Sequence, residues 1–170
     1  ILKKIIYLLD EYLISSEVIP SGWTVNPSST TSICGYLTTM LGGYNIFGTG
    51  AFATKTYNNP PPFFKVRIWF RFNKIDSWDA SEVMRVYENG NLVYTSVSIA
   101  WDENMYTDSQ CGDTFNEKSQ TFSLEFSKNS GASLIIKLDT NLNQAAIDES
   151  WGFSHFAISV LRFDPTCLTC

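Results

Sequence analysis

The sequence predicts an all-β fold: an antiparallel two-sheet β-sandwich, jelly-roll-like, with an apolar N-terminal arm. Three observations predict it. Short segments alternate apolar and polar residues, Gly, Asn, Pro and Ser break them at close spacing, and no helical pattern separates them. In chain order, Ile1, Ile5, Leu8 and Tyr12, with Leu2, Ile6, Leu9 and Leu13 beside them, follow helical spacing. Residues 1–14 therefore read equally as an amphipathic helix or as an edge strand running into a loop before Ser21-Gly22-Trp23. Gly42-Gly43 and Gly48-x-Gly50 lack the Lys-Ser/Thr of a phosphate loop and read as turns that let Tyr44 and Phe47 fold inward. Gly50 to Tyr57 is a strand ended by Asn58-Asn59-Pro60-Pro61-Pro62, since proline supplies no ladder donor. Lys65 to Phe72 is the plainest strand, with Val66, Ile68, Phe70 and Phe72 alternating with Lys65, Arg67, Trp69 and Arg71. Its outward side is a basic stripe carrying one tryptophan. Val83 to Glu88 and Leu92 to Ser98 form a hairpin around Asn89-Gly90-Asn91. Phe122 to Phe126 and Ala132 to Leu138 form a second hairpin around residues 127–131, and Ser154 to Phe163 is the last strand. The domain plan is an arm over 1–20, a sandwich over 21–166 and a Cys-x-x-Cys tail over 167–170.

Composition narrows the function classes. The chain has 170 residues, 44% hydrophobic, 15% aromatic and only 17% charged, with Ser, Thr and Asn filling the shortfall. A net charge of -5 argues against nucleic acid as a partner, because that affinity comes from Lys and Arg displacing counterions. No apolar run approaches the ~20 residues of a membrane span. The aromatic and β-branched content excludes intrinsic disorder.

Cys34, Cys111, Cys167 and Cys170 suit a disulfide-forming, oxidising compartment. Zinc would need a second C-x-x-C spacing beside Cys167-x-x-Cys170, and none is present. Cys34 pairs with Cys111 in this reading. Cys167 and Cys170 are left to pair with each other, with residues beyond the chain, or with another subunit. The first nine residues have the basic and apolar flavour of a signal peptide, but Asp10-Glu11 interrupts them and no cleavage pattern follows, so they read as mature protein.

Several stretches together carry a resemblance. They are Gly22-Trp23, Leu41 to Gly48, the Pro-rich step before Phe63, Ile75-Asp76-Ser77-Trp78-Asp79, Cys111-Gly112, Asn141-Leu142-Asn143-Gln144 and Asp148-Glu149-Ser150-Trp151-Gly152-Phe153. In this order, from about residue 7 to 163, they resemble a β-rich domain of large secreted or surface proteins of ciliates. The resemblance implies a cell-surface or secreted β module. It supplies no activity. Such proteins tend to continue into cysteine repeats, whereas this sequence stops at Cys170.

The chemistry concentrates in the two Trp-containing acidic motifs. If the strands they flank are antiparallel neighbours, Asp76, Asp79, Asp148 and Glu149 converge beside Trp78 and Trp151. Calcium takes ~6–8 oxygens from carboxylates and carbonyls, so it is the metal this pattern fits; the alternative is acidic turn caps beside core tryptophans. Trp78, Trp101 and Trp151 are the candidate platforms for stacking sugars. Paired carboxylates also serve glycoside hydrolysis, which needs one acid held protonated, and nothing in the sequence marks one. His155 is the sole histidine and sits mid-strand beside Ser154, where neighbouring side chains face opposite ways, so it forms no nucleophilic triad. The chain reads as a non-enzyme. Asn26-Pro27-Ser28 is disqualified as an N-glycan acceptor by its proline, while Ser28, Ser29, Thr30, Thr31 and Ser32 are an O-glycan candidate or a polar loop.

The leading functional expectation is an extracellular structural subunit that assembles with copies of itself into a coat or filament. Ile1, Ile5, Leu8, Leu9 and Tyr12 of the arm, with Lys65, Arg67, Trp69 and Arg71 of the stripe, are its candidate assembly residues. The alternative is a carbohydrate-binding, lectin-like module with glycan partners and calcium-dependent loops.

Overall fold

The computed structural model describes residues 4–11, 21–27, 31–37, 39–97, 109–113, 115–127 and 132–163. Its strands are β1 (Lys4–Glu11), β2 (Trp23–Asn26), β3 (Thr31–Ser32), β4 (Met40–Gly42), β5 (Phe52–Asn58), β6 (Lys65–Asp76), β7 (Met84–Glu88), β8 (Asn91–Thr95), β9 (Lys118–Ser127), β10 (Ser133–Thr140) and β11 (Glu149–Phe163). The first sheet runs β3-β4-β11-β6-β9, with β1 also paired to β11; the second runs β2-β5-β10-β7-β8. Every pairing is antiparallel. This is the two-sheet sandwich that the alternation predicts.

The core lies between the sheets. Val66, Ile68, Phe70 and Phe72 of β6, with Phe156, Ile158 and Val160 of β11, pack with Ala53, Met84, Val86, Leu134, Ile136 and Leu138 of the second sheet, all buried. Each such aliphatic or aromatic side chain contributes about 1.5–3 kcal/mol on leaving water. The β7–β8 turn follows the Asn-Gly rule, since Asn89 and Gly90 both hold positive φ, 49° and 82°.

Two expectations change. Phe122 to Phe126 and Ala132 to Leu138 are not a hairpin: β9 pairs with β6 in the first sheet, while β10 pairs with β5 and β7 in the second. Alternation marks a half-buried strand but not its neighbour, and here the two apolar faces meet across the core instead of side by side. Residues 128–131 between them lie outside the described residues. The N-terminal segment, where helix and strand were both open, is a strand along β11, from Lys4 opposite Phe163 to Glu11 opposite Ala157. It pairs with its own domain along β11, while Ile6, Tyr7 and Leu8 stay exposed. A register shift between Leu8 and Asp10 lets Leu9 pack on the core and sends Asp10 to Lys55 Nζ of β5, 2.6 Å away, tying the two sheets at that edge.

Strand β6 alternates until Phe72, and then Asn73, Lys74, Ile75 and Asp76 are all buried. The outer face is covered there by a second small cluster of Cys34, Leu37, Met40 and Ile75, with Tyr44 and Cys111 against it. The Cys34–Cys111 disulfide holds this cover, with Cα atoms 5.4 Å apart across a sequence separation of 77. Cys167 and Cys170 lie outside the described residues. A loop of that length costs the unfolded chain about 4 kcal/mol in entropy when closed. The Cys34→Ser/Cys111→Ser double variant should therefore melt about 10 °C lower than the parent by circular dichroism. An unchanged midpoint would show that the cover contributes nothing to the sandwich.

Candidate functional site

Antiparallel pairing of β6 with β11 sets Asp76 opposite Glu149, so the two acidic motifs do meet at one end of the sandwich. Three hydrogen bonds tie them: Ser77 N–H and Oγ donate to the Asp148 carbonyl at 3.2 and 3.0 Å, and Trp78 Nε1 donates to the Ser150 carbonyl at 2.8 Å. The four predicted carboxylates nevertheless divide into two groups.

Asp76 and Asp148 line an open cleft of about 400 Å³ with Tyr44, Gly112, Asp113, Phe115 and Ile147. Asp76 ends β6 in the left-handed region, φ 66°, and its Oδ2 accepts the Asp113 N–H at 3.0 Å. Glycine is required at 112, because a Cβ there would collide with that same oxygen. Burial raises the Asp76 carboxyl, and the Asp113 N–H and Lys74 oppose the rise.

Asp79 and Glu149 instead gather with Glu82, one carboxylate oxygen of each lying within 4.8 Å of the others. Glu82 was not among the sequence candidates. The signal for it is Asp79-x-x-Glu82, the spacing at which an acidic side chain reaches back to a turn's first amide, and Asp79 N–H does donate to Glu82 Oε2 at 2.6 Å. Glu82 and Glu149 are buried while Asp79 is exposed. Glu149 accepts the side-chain and backbone N–H groups of Gln144 at 3.1 and 3.2 Å. Its carboxyl is pushed up to about 7, first by burial and then by Glu82 facing it. A raised acid beside a second carboxylate is what glycoside hydrolysis uses, but burial seals this pair from a sugar.

Trp78 and Trp151 are not stacking platforms. Both are buried, Trp151 stacked on Phe72 with centroids 5.5 Å apart and tilted against Phe47 at 4.8 Å, Trp78 edge-on to Phe72 at 5.9 Å. Trp151 faces inward because its register opposite Lys74 puts it on the inner face, and Trp78 folds in from the loop after β6; a large ring stabilises most where water is excluded. Trp101 lies outside the described residues.

Among the described residues the exposed tryptophan is Trp69, on the outer face of the first sheet. In register it sits between Ser123 of β9 and Ala157 of β11, and these small side chains leave one flank of its ring open. A shallow hollow of about 190 Å³ runs there, lined by Leu8, Arg67, Trp69, Ser123, Ala157 and Ser159. Lys65 and Arg67 both bind Glu125, Arg67 Nε at 2.5 Å, while Arg71 has no carboxylate partner among the described residues. His155 stands in the irregularity between Ser154 and Ala157 at φ 52°, its ring edge-on to Trp69 at 6.3 Å and its Nδ1 3.0 Å from Ser154 Oγ. Burial and then Arg71 lower its pKa, since both disfavour the charged ring. Such bulges re-aim side chains, and strained backbone is tolerated most where a surface is used. Of the arm residues, Leu8 is exposed, Ile5 and Leu9 are partly buried, and Ile1 and Tyr12 lie outside the described residues. Thr31 and Ser32 form β3, with Ser32 Oγ donating to the Gly42 carbonyl at 2.6 Å, and Ser28, Ser29 and Thr30 lie outside the described residues.

The raised Glu149 carboxyl fixes the sign of a pH dependence. An acid whose folded pKa is about 7 against an ordinary 4.5 contributes stability that is fully present below pH ~4.5 and is lost as pH rises through ~7. His155, lowered, acts in the opposite sense below its usual value. In chelator, Glu149→Gln should therefore gain melting temperature relative to the parent between pH 5 and pH 8. Parallel pH profiles for the two proteins would contradict this assignment.

No protein-family model matches the sequence, and no curated protein does. Among solved structures, the CBM22-1 xylan-binding domain of Paenibacillus barcinonensis Xyn10C superposes with a TM-score of 0.50 at 14% identity, over 90% of this chain and 94% of that one. The xylan-binding module CBM15 gives 0.53 at 11% identity, over 93% and 97%. Dimeric latent PorU of Porphyromonas gingivalis gives 0.53 at 10% identity over 92% of this chain, which spans 13% of PorU. The chain has the jelly-roll β-sandwich fold that carbohydrate-binding modules use.

Proposed function

We propose that this chain is an extracellular, non-catalytic carbohydrate-binding module whose ligand surface is the outer face of the first sheet. One observation carries the reading: Trp69 presents 39% of its surface on a shallow hollow floored by Ser123, Ala157 and Ser159 and flanked by Arg67. An aromatic plane stacks on the apolar face of a sugar ring, while hydroxyl and guanidinium groups beside it fix the ring's hydroxyls. Two solved structures of the same fold are xylan-binding, which makes xylan the first polysaccharide to test. The disulfide suits secretion.

The sugar surface is separate from the acidic end. Trp69 lies seven residues up β6 from Asp76, roughly 23 Å at ~3.3 Å per residue, and on the opposite face of the strand. In affinity electrophoresis against xylan and other insoluble-wall polysaccharides, Trp69→Ala should lose at least about tenfold in retention, consistent with about 1.4 kcal/mol for a stacked ring. Its melting temperature should match the parent's, and chelator should leave the parent's retention unchanged. Full retention by the variant would overturn the choice of surface.

Self-assembly keeps one specific support. Strand β1 is an edge that exposes Ile6, Tyr7 and Leu8, and such edges add strands from other chains. On this second reading, light scattering would show a polymer that Ile6→Lys disperses. A monomer at all concentrations would remove it.

A further inference from the structure

Burial at the closed end of the sandwich leaves an electrostatic problem. Along β6 the inner face changes from Phe70 and Phe72 to Lys74 and Asp76, and opposite them β11 presents Glu149. Glu82 completes the layer at 1% exposure, and its Oε1 has no hydrogen-bond partner among the described residues although the other oxygen takes the Asp79 amide. The carboxylates gathered with it are exposed Asp79 and Glu149, another acceptor that is also buried. Two buried carboxylates cannot face each other without a proton or a cation between them, because neither has a donor to offer. The buried Lys74 uses its Nζ to donate to the Asn116 carbonyl at 3.1 Å, and of the carboxylates that act on it Glu117 comes first, ahead of Asp76, Glu149 and Glu82. Asp76 is engaged by the Asp113 amide.

We propose that Asp79, Glu82 and Glu149 form a binding site for a calcium-class divalent cation at this end of the sandwich. Each residue offers a carboxylate oxygen, and the three oxygens lie within 4.8 Å of one another, a span that a cation at ~2.3–2.6 Å from each can bridge. The unpartnered Oε1 of Glu82 is the ligand that has no other role. Exposed Asp79 is the entry side, and carbonyl oxygens and water complete the shell. The site links the loop after β6 to the start of β11, so the cation stabilises the pairing from which both motifs hang. It departs from the set expected from sequence: Glu82 enters, while Asp76 and Asp148 belong to the neighbouring cleft.

The test uses terbium as a calcium stand-in, excited through Trp78, which is adjacent to Asp79 in the chain. The full chain at pH 8 should give sensitised emission that calcium displaces. Calcium at about a hundredfold excess over its Kd should raise the melting temperature by about 5–10 °C. Glu82→Gln should abolish both responses while melting no lower than the parent in chelator, since it removes one of two facing carboxylates. Asp79→Asn, at an exposed position that leaves the core intact, should weaken calcium at least about tenfold by calorimetry, and it decides the matter if Glu82→Gln does not fold. Absence of any calcium response up to about 1 mM, the weak end for extracellular calcium modules, would overturn the site and leave a shared proton between Glu82 and Glu149. So would calcium binding that survives both substitutions. Neither outcome bears on retention through Trp69.

Discussion

Everything distinctive in this molecule hangs on the pairing of β6 with β11. The ladder runs from Lys65 opposite Leu161 to Glu149 opposite Asp76, broken once between Ser154 and Ala157. One strand pair thus spans the length of the sandwich, with an open basic and aromatic face at one end and a sealed acidic layer at the other. The break is useful to the open end. A regular ladder would send the side chain after Ser154 inward, whereas the irregularity puts His155 beside Trp69 and returns Phe156 to the core.

The sealed end shows why a sandwich of this length does not stay apolar to its tip. Past Phe72 the inner face carries Lys74 and Asp76, and Glu82, Glu117, Lys118 and Glu149 are buried around them. Taking so many ions out of water is costly unless each finds partners. Most do: Glu117 Oε2 accepts the Gln110 amide at 2.6 Å, Glu149 takes two bonds from Gln144, and Asp76 takes the Asp113 amide. The disulfide-bonded cover over Ile75 keeps water off the opposite side of β6, so the ions there are satisfied by protein groups that approach from loops. The acidic layer and the disulfide are parts of one closure.

How much of this was legible in the sequence depends on which physical signal each feature carries. Period-two alternation revealed β6 and its outward stripe because it reports burial directly, and Asn89-Gly90 revealed the β7–β8 turn because only positive φ closes it. The meeting of Asp76 with Glu149 was legible once antiparallel pairing was assumed. Alternation does not say which sheet a strand joins, so β9 and β10 read as a hairpin although they sit in different sheets. Nor does it distinguish a tryptophan that stacks on a ligand from one that stacks on Phe72. Trp151 packs on Phe72 while Trp69 faces solvent, and the face of the strand pair is what separates them. Glu82 escaped because its local pattern is that of a turn cap, while Glu149, the buried carboxylate it gathers with, is distant in sequence.

That distinction of faces also separates two properties that sequence reasoning had merged. Tryptophans and carboxylates adjacent in the motifs suggested one surface that binds sugar through calcium. The strand's pleat sends Trp151 inward with Glu149 and Trp69 outward on the other side, while Trp78, Asp79 and Glu82 follow the end of β6, so the exposed ring and the clustered carboxylates lie on separate surfaces. A cation at the acidic end would act on the far face only through the rigidity of the ladder. Because Trp69 is held in register on both sides by β9 and β11, whose pairings with β6 extend well beyond it, that face keeps its shape independently of what fills the end. On the proposed reading, sugar recognition and cation binding are therefore separable by single substitutions, at Trp69 on the outer face of β6 and at Asp79 or Glu82 in the loop after it.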